Sequence, residues 1–358
     1  DLWPKIRDHG DPGCFGETGM MTGRENLCRA IEFRGPAYLP CTFSAMLDWL
    51  REKAPAKQAR VRELTAATGG DVLSPGQCFR GRWKPADRNR WRDEWGTEWL
   101  NEGYGAISVD HPLQSGYDGL DGLYMPDPDE PGRFDEADQG LAERDGLYVR
   151  ADVWNATFER MWMLRGFDNL LMDPYVEPAG FARLRDRITE IHLGMVDQWL
   201  RRKVDGIFFS DDWGTQRALL MDPRDWRRLY KPAYRRLFDR VRAGGAHVWL
   251  HSCGDVRAIL PDLLDLGLSV LHPVQPQAMD LAELAREFGG KVCFYGGIDS
   301  QGVLITGTPA DVRDEVRRVV DLLGGPDGGY IGAPSQTVMP ETPLDNVIAA
   351  LETLAEYQ

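Results

Sequence analysis

The chain has 358 residues, with 42 Lys and Arg against 56 Asp and Glu and a formal net charge of −14. This balance excludes ordinary nucleic-acid binding, which needs a basic surface, although a small anionic ligand responds to local charge. The sequence has no run of about 18 apolar residues and begins too polar for a secretory signal, so we expect a cytoplasmic protein without a membrane segment. Six cysteines without repeated spacing predict reduced thiols.

The first predicted elements follow a polar arm. Residues 1–20 are rich in Gly, Asp and Pro and are predicted to form an N-terminal arm, followed by a single domain over 21–358. A helix is predicted to begin at Thr22, because apolar residues recur there at helical spacing. A strand over 38–43 and a second helix over 46–69 are predicted next.

The composition of residues 71 to about 150 predicts an irregular insertion. The segment is rich in Gly, Pro, Trp and charged residues, which favours short strands joined by long loops. A basic stretch runs from Arg80 to Arg92. It is either a solvated loop whose charges are partly compensated, or a patch for an anionic ligand or a partner.

From about residue 150 onward, the chain alternates apolar runs and helical patterns. A helix over 222–243 should kink at Pro232. Two later helices are predicted to be capped by Thr308 and Thr342, each followed by a proline that suits the first helical position. The five runs read as strands with polar ends are VDGIFFSDDWG, AHVWLHSCGD, SVLHPVQP, KVCFYGGID and GGYIGAPS.

Short apolar strands that are each followed by a helix predict a parallel sheet with a covered outer face. Two α/β architectures fit: an open doubly wound sheet and a closed (β/α)8 TIM barrel. No strand is followed by Gly-x-Gly-x-x-Gly, so the dinucleotide-binding open sheet would lack its phosphate loop. We therefore predict a (β/α)8 barrel with an N-terminal arm and an irregular insertion. Its active site should lie at the carboxyl ends of the strands.

The sharpest feature at these strand ends is the pair His251 and Cys253. Residues two apart on a strand point to the same face, so an imidazole and a thiolate can bind one ion there. Nitrogen and sulfur ligands suit Zn²⁺ if another strand completes the site. The alternative is that Cys253 is a small core residue and His251 a hydrogen-bonded one.

Other strand ends supply candidate catalytic and substrate-binding residues. Asp212 and Asp299 could act as general acid or base or position a substrate, and each could instead be a helix cap or turn residue. Asp211 precedes Asp212 directly, so only one of the two can face the barrel axis. The residues expected to contact substrate are Trp213, Gln275, Tyr295 and Gln336.

These residues lie in segments that resemble the uroporphyrinogen decarboxylase family in its broad sense. The similarity extends from TGRENLCRAIEFRGP to the C-terminus and is carried by DGIFFSDDWGTQ, HSCGDV, GLSVLHPVQPQAMDLAELAREFGGKVCFYGGIDSQGVL, GTPADVRDEVRRVV and GGYIGAPSQTVMPETPLDNV. The resemblance implies a (β/α)8 barrel. It also implies one of two chemistries: decarboxylation of uroporphyrinogen without a cofactor, or methyl transfer with corrinoid proteins, often using zinc.

Two positions of the family pattern separate these branches. The decarboxylase branch carries paired Arg in a segment that reads CTFSAMLDWL here, without Arg. The methyltransferase branch places zinc on a His-x-Cys, matched by His251 and Cys253, and on a later Cys that falls at or beside Gln336. Glutamine is a poor zinc ligand, so the site is either metal-free or completed by another residue. The candidates for that residue are Asp212, Asp299 and His272.

We therefore predict a zinc-assisted methyltransferase or demethylase. It would move a methyl group between a small substrate, such as a methoxy-aromatic compound or a thiol, and a corrinoid held by a partner protein. The alternatives are a metal-free decarboxylase of uroporphyrinogen or another acid, and a barrel that binds without catalysis. The resemblance also implies a homodimer.

Overall fold

The computed structural model describes residues 21–43, 54–75, 89–102 and 105–358. The predicted N-terminal arm lies outside these residues, and so does the basic stretch up to its last few positions. The segment CTFSAMLDWL is described only as far as Phe43.

Ten strands of the described residues form two sheets. β1 and β5 to β10 make a parallel sheet in that spatial order, whereas β2, β3 and β4 make a small antiparallel sheet within the predicted insertion. The strands are β1 (Val72–Leu73), β2 (Arg90–Arg92), β3 (Glu98–Asn101), β4 (Ala106–Asp110), β5 (Tyr148–Val153), β6 (Gly206–Ser210), β7 (His247–His251), β8 (Val270–His272), β9 (Cys293–Ile298) and β10 (Tyr330–Pro334).

An eighth strand position lies beside β10. Cys41 pairs in parallel with Gly332, and the Thr42 amide donates to the Gly332 carbonyl at 3.0 Å. The spatial order of the parallel strands follows the chain order, as it does in a (β/α)8 barrel. The predicted fold class is therefore confirmed as a TIM-barrel-like α/β fold.

Helices connect these strands and pack on the outer face of the sheet. No helix of the described ranges is long and apolar enough to cross a membrane. The α-helices are α1 (Gly23–Ile31), α2 (Pro55–Thr68), α3 (Asp135–Gly140), α4 (Phe158–Arg165), α5 (Phe167–Val176), α6 (Pro178–Arg201), α7 (Pro223–Leu229), α8 (Lys231–Ala243), α9 (Leu260–Asp265), α10 (Leu281–Phe288), α11 (Val303–Thr306), α12 (Pro309–Leu323) and α13 (Leu344–Ala355).

Two of the predicted helix boundaries differ from the structure. The helix expected over 222–243 is divided at Tyr230, just before Pro232, because proline cannot donate the next helical hydrogen bond and its ring crowds the preceding turn. The prediction of a cap at Thr342 is wrong, since α13 begins at Leu344 with Pro343 in the cap position. The cap predicted at Thr308 is confirmed and forms a reciprocal capping box with Asp311.

The barrel interior is apolar at the amino ends of the strands and polar at their carboxyl ends. Side chains two residues apart share a face, so His251 follows Trp249, and His272 follows Val270, along the inner wall. This gradient places the titratable groups at the end of the barrel where a TIM-barrel site is expected. The buried side chains below them include Tyr148, Phe208, Trp249, Val270, Cys293 and Ile331.

The two Thr-Pro sequences provide a matched test of helix capping. Thr308→Val should lower the free energy of unfolding by about 1 kcal/mol, because its hydroxyl accepts the Asp311 amide. Thr342→Val should leave stability unchanged or raise it slightly, because its buried hydroxyl has no hydrogen-bond partner among the described residues. Urea denaturation measures both values, and equal losses for the two variants would contradict this account of α12 and α13.

Candidate metal centre and its cavity

Three potential metal ligands converge at the carboxyl ends of β6 and β7. Ligand atoms of Asp212, His251 and Cys253 all lie within 4.8 Å of one another. The His251 Nε2 atom is 3.3 Å from the Cys253 sulfur and 3.4 Å from an Asp212 oxygen. The Cys253 amide also donates to that carboxylate at 2.8 Å, which holds the two loops together.

The donor atoms fit one zinc ion. With Zn–N of about 2.0–2.1 Å and Zn–S of about 2.3 Å, a tetrahedral ion holds neighbouring ligand atoms about 3.3–3.6 Å apart. The separations of His251 from Cys253 and from Asp212 are close to this range. A carboxylate, an imidazole and a thiolate are all zinc ligands, so the chemistry of the set fits as well.

His272 orients the imidazole of His251. The Nδ1 atoms of the two rings are 2.7 Å apart, so one ring donates a hydrogen to the other. Burial, then the positive charges of His251 and Arg150, lower the pKa of His272 well below its ordinary value. When His251 donates and neutral His272 accepts, the Nε2 atom of His251 keeps the lone pair that a metal needs.

Protonation of the acidic groups depends on their surroundings. Burial, followed by the charge of Asp212, raises the pKa of the Cys253 thiol well above its ordinary value. Burial also opposes ionisation of Asp212, but the interactions with His251 and the Cys253 amide lower its pKa overall. A bound cation would therefore be needed to keep Cys253 as a thiolate beside this carboxylate.

Gln336 contacts the cysteine without completing the ligand set. Its Nε2 group donates to the Cys253 sulfur at 2.8 Å. This contact places Gln336 next to the predicted site, in the role of a donor that would disperse thiolate charge. The third ligand atom in the cluster comes instead from Asp212, which was one of the candidates that the sequence left open.

The two adjacent aspartates face opposite sides of the strand. Asp211 accepts the amides of Thr157, Phe158 and Glu159 and the hydroxyl of Tyr234, so it fixes the amino end of α4. Burial raises the pKa of Asp211 to about 6, although these hydrogen bonds act to lower it. Asp211 is therefore a structural cap, and its neighbour Asp212 faces the candidate metal centre.

Glu159 is a titratable neighbour that sequence reasoning missed. Its carboxyl accepts the Ser210 hydroxyl at 3.2 Å. Burial, and then the charges of Asp211 and Asp212, raise the pKa of Glu159 to about 8. The shift favours the protonated form of this carboxyl. No local motif marks it, because it reaches the site only through the packing of α4 against β6.

A cavity of about 290 Å³ adjoins the metal centre. His251, Gln336 and Tyr295 are among the residues that line it. Trp154 and Phe208 add aromatic walls to this cavity. Arg150, which the sequence did not single out, also lines this cavity.

The structure places three other predicted site residues outside the cavity. Trp213 is fully buried, and its indole stacks on Phe158 and donates to Tyr234, so it belongs to the core. Gln275 accepts the Gly254 amide at 2.6 Å and fixes the loop that carries Cys253. Asp299 accepts the amides of Gln301 and Gly302 and a hydrogen bond from the Gln277 side chain, which is the turn role left open by the sequence.

The fold and this centre define a class of protein: a TIM-barrel-like protein with a metal-competent cluster at the carboxyl ends of its strands. Residues 155–357, more than half of the chain, match the family profile described as uroporphyrinogen decarboxylase (URO-D). The chain therefore belongs to the URO-D family.

Curated proteins that are similar in sequence to this chain have two different named activities. Over 177 residues it is 28% identical to methylcobamide:CoM methyltransferase MtaA of Methanosarcina barkeri, which covers 49% of each chain. Over 186 residues it is 27% identical to uroporphyrinogen decarboxylase of Thermus thermophilus, covering 51% of this chain and 50% of the relative. The chain thus spans about half the length of the curated relatives it matches.

A solved structure supports the same fold over nearly the whole chain. A methyltransferase from Methanosarcina mazei superposes with a TM-score of 0.67 at 16% sequence identity. The match covers 94% of this chain and 99% of the other.

The adjacent aspartates give a second matched test. In metal-free protein, Asp211→Asn should lower the free energy of unfolding by about 1–3 kcal/mol, because an NH2 group would replace one of the two oxygens that together accept four hydrogen bonds. Asp212→Asn should cost less, because an amide oxygen can still accept the Cys253 amide. Urea denaturation in the presence of a chelator measures the stability of both variants. A larger loss of stability in Asp212→Asn than in Asp211→Asn would contradict the structural role of Asp211.

The raised pKa of Glu159 predicts that the stability of the protein depends on pH. The unfolded chain releases this proton near the ordinary Glu pKa, whereas the folded protein holds it up to about pH 8. The free energy of unfolding should therefore fall as the pH rises through this interval. Because Glu159→Gln removes the titration, the variant should gain stability relative to wild type from about pH 5 to pH 8. A difference between the two proteins that does not vary with pH would contradict the prediction.

Proposed function

We propose that the protein is a zinc-assisted methyltransferase or demethylase that moves a methyl group between a small substrate and a corrinoid carried by a partner protein. The observation that carries the proposal is the convergence of Asp212, His251 and Cys253 at the strand ends beside a cavity. The named activity of the Methanosarcina barkeri relative is consistent with it.

Asp212, His251 and Cys253 would hold the ion, and His272 and Gln336 would support two of these ligands. A site with three protein ligands leaves a position for substrate, as catalytic zinc sites do. Zinc in this position supplies a Lewis acid that polarises a thiol or an ether oxygen. The aromatic walls of the cavity favour a flat substrate, such as a methoxy-aromatic compound.

The demethylation direction needs a proton. In this direction the bond between methyl carbon and oxygen would break with its electron pair left on the oxygen, and a reduced corrinoid held by the partner would supply the electron pair that accepts the methyl group. The oxygen must then take up a proton. Glu159 is the candidate donor, because its carboxyl lies against Ser210 at the end of β6, and burial and the charges of Asp211 and Asp212 raise its pKa.

Metal content and methyl transfer test the proposal together. The purified protein should contain about one zinc per chain, and Cys253→Ala should lose it. His272→Gln should weaken zinc binding by about 10–100-fold, because it removes the hydrogen bond that orients His251. Elemental analysis and competition with a chelator measure these effects. Transfer of methyl from methoxy-aromatic compounds to cob(I)alamin is followed by the change in corrinoid absorbance.

Cys293→Ala is the matched control. Cys293 is a fully buried cysteine of β9 in the barrel interior, outside the cluster, so the control should keep wild-type zinc content and transfer. A wild-type protein without stoichiometric zinc, or a Cys253→Ala variant with full zinc and full activity, would contradict the proposal.

A metal-free decarboxylase of a small acid is the second candidate. Arg150 favours it, because it is the one Lys or Arg among the described residues that line the cavity, and a carboxylate could bind there. The decarboxylase should release CO2 in the presence of a chelator, and Arg150→Gln should lose this activity. Such a result would support decarboxylation over methyl transfer.

A further inference from the structure

Arg150 places a permanent positive charge in the cavity beside the candidate metal centre. It lies on β5 and its side chain is only 15% exposed. The guanidinium carbon lies 4.5 Å from the centre of the Phe208 ring, and both side chains line the cavity. Its charge is paired with Asp152, and an anion at the remaining guanidinium groups would add charge-assisted hydrogen bonds.

The guanidinium is held in one orientation. Its Nε donates to Asp152 at 3.1 Å, and the other oxygen of Asp152 accepts the Ser74 hydroxyl. Tyr295 also interacts with the guanidinium, and its hydroxyl accepts from Thr42 at 2.8 Å. Because Asp152 occupies the Nε edge, the two Nη groups remain for Tyr295 and for a ligand. Such a prearranged guanidinium edge suits a planar or tetrahedral anion.

The same cavity connects this charge to the metal centre. The Phe208 ring is 4.5 Å from the guanidinium carbon of Arg150 and 6.1 Å from the centre of the His251 ring. The separation of Arg150 from His251 therefore cannot exceed the sum of these two distances. A molecule with a single ring can span such an interval.

We propose that Arg150 binds the carboxylate or sulfonate group of a small, flat organic anion and directs the methyl-bearing end of that molecule toward Asp212, His251 and Cys253. This inference rests on the proposed function, because it names the substrate class of the same site. Arg150 is the specificity-determining residue, and Asp152 positions it. The aromatic walls at Trp154 and Phe208 bind the body of the substrate.

Calorimetric titration with matched ligands tests the proposal. The probes are 4-methoxybenzoate, 4-methoxybenzenesulfonate and the uncharged 4-methoxybenzamide. At least one anion should bind the wild-type protein about tenfold or more tightly than the amide, because it gains charge-assisted hydrogen bonds to Arg150. The anion that binds more tightly identifies the group. Equal affinities of all three probes for the wild-type protein would overturn the proposal without any variant.

Arg150→Gln should abolish the preference for the anion and leave amide binding within about twofold. Arg24→Gln is the matched control, because Arg24 pairs with Asp205 at the amino end of β6, away from the cavity, and should leave both affinities unchanged. If Arg150→Gln does not fold, Arg150→Lys keeps the charge and should lower anion affinity by loss of the paired donors. A preference that persists in Arg150→Gln would overturn the proposal.

Zinc content, measured on the same samples, separates this proposal from the proposed function. Anion binding that depends on Arg150 in a protein without zinc would support the anion site while contradicting zinc-assisted methyl transfer. Full zinc occupancy with no preference for anions would overturn the anion site alone.

Discussion

The candidate site depends on the direct contact between the loops that follow β6 and β7. The strand register places Ser210 opposite His251, so the next residues of the two loops begin side by side. Gly214 and Gly254 then allow their backbones to touch: a Cβ atom on Gly214 would lie 2.6 Å from the Asp255 amide. Larger residues at these glycines would force the loops apart and separate Asp212 from Cys253.

Hydrogen bonds between the loops fix this contact. The Trp213 amide donates to the Ser252 hydroxyl, and the Cys253 amide donates to Asp212. Gln275 accepts the Gly254 amide from the neighbouring loop. The ligand atoms are thereby held close together before any ion binds, which reduces the ordering cost of metal binding. Zinc binding would also displace the proton from the Cys253 thiol, whose burial beside Asp212 disfavours the thiolate in metal-free protein.

The sequence predicted the features that arise from local periodicity and spacing. Apolar runs followed by helices predicted the barrel, and the two-residue spacing of His251 and Cys253 predicted a shared face. Side-chain roles in the loops could not be predicted in this way. Asp211 and Asp212 look equivalent in the sequence, and only the packing of α4 shows that Asp211 caps a helix. Trp213 was expected to line a pocket, but an aromatic core behind β6 encloses it.

Two residues of the site escaped prediction because nothing local marks them. Arg150 lies within a strand pattern, and its importance appears only when Phe208, His272 and Tyr295 surround the same cavity. Glu159 lies in the first turn of a helix, where acidic residues are common, and its raised pKa depends on burial beside Asp211 and Asp212. The family resemblance placed Gln336 at the usual third ligand position, and the structure shows it donating to the Cys253 sulfur instead.

X-ray absorption at the zinc edge of the purified protein identifies the atoms that bind the metal. A site formed by Asp212, His251 and Cys253 should show one sulfur ligand at about 2.3 Å together with nitrogen and oxygen ligands at about 2.0–2.1 Å. The sulfur ligand should disappear in Cys253→Ala and remain in Cys293→Ala. A zinc environment of nitrogen and oxygen alone in the wild-type protein, or the same sulfur signal in Cys253→Ala, would contradict a metal centre formed by Asp212, His251 and Cys253.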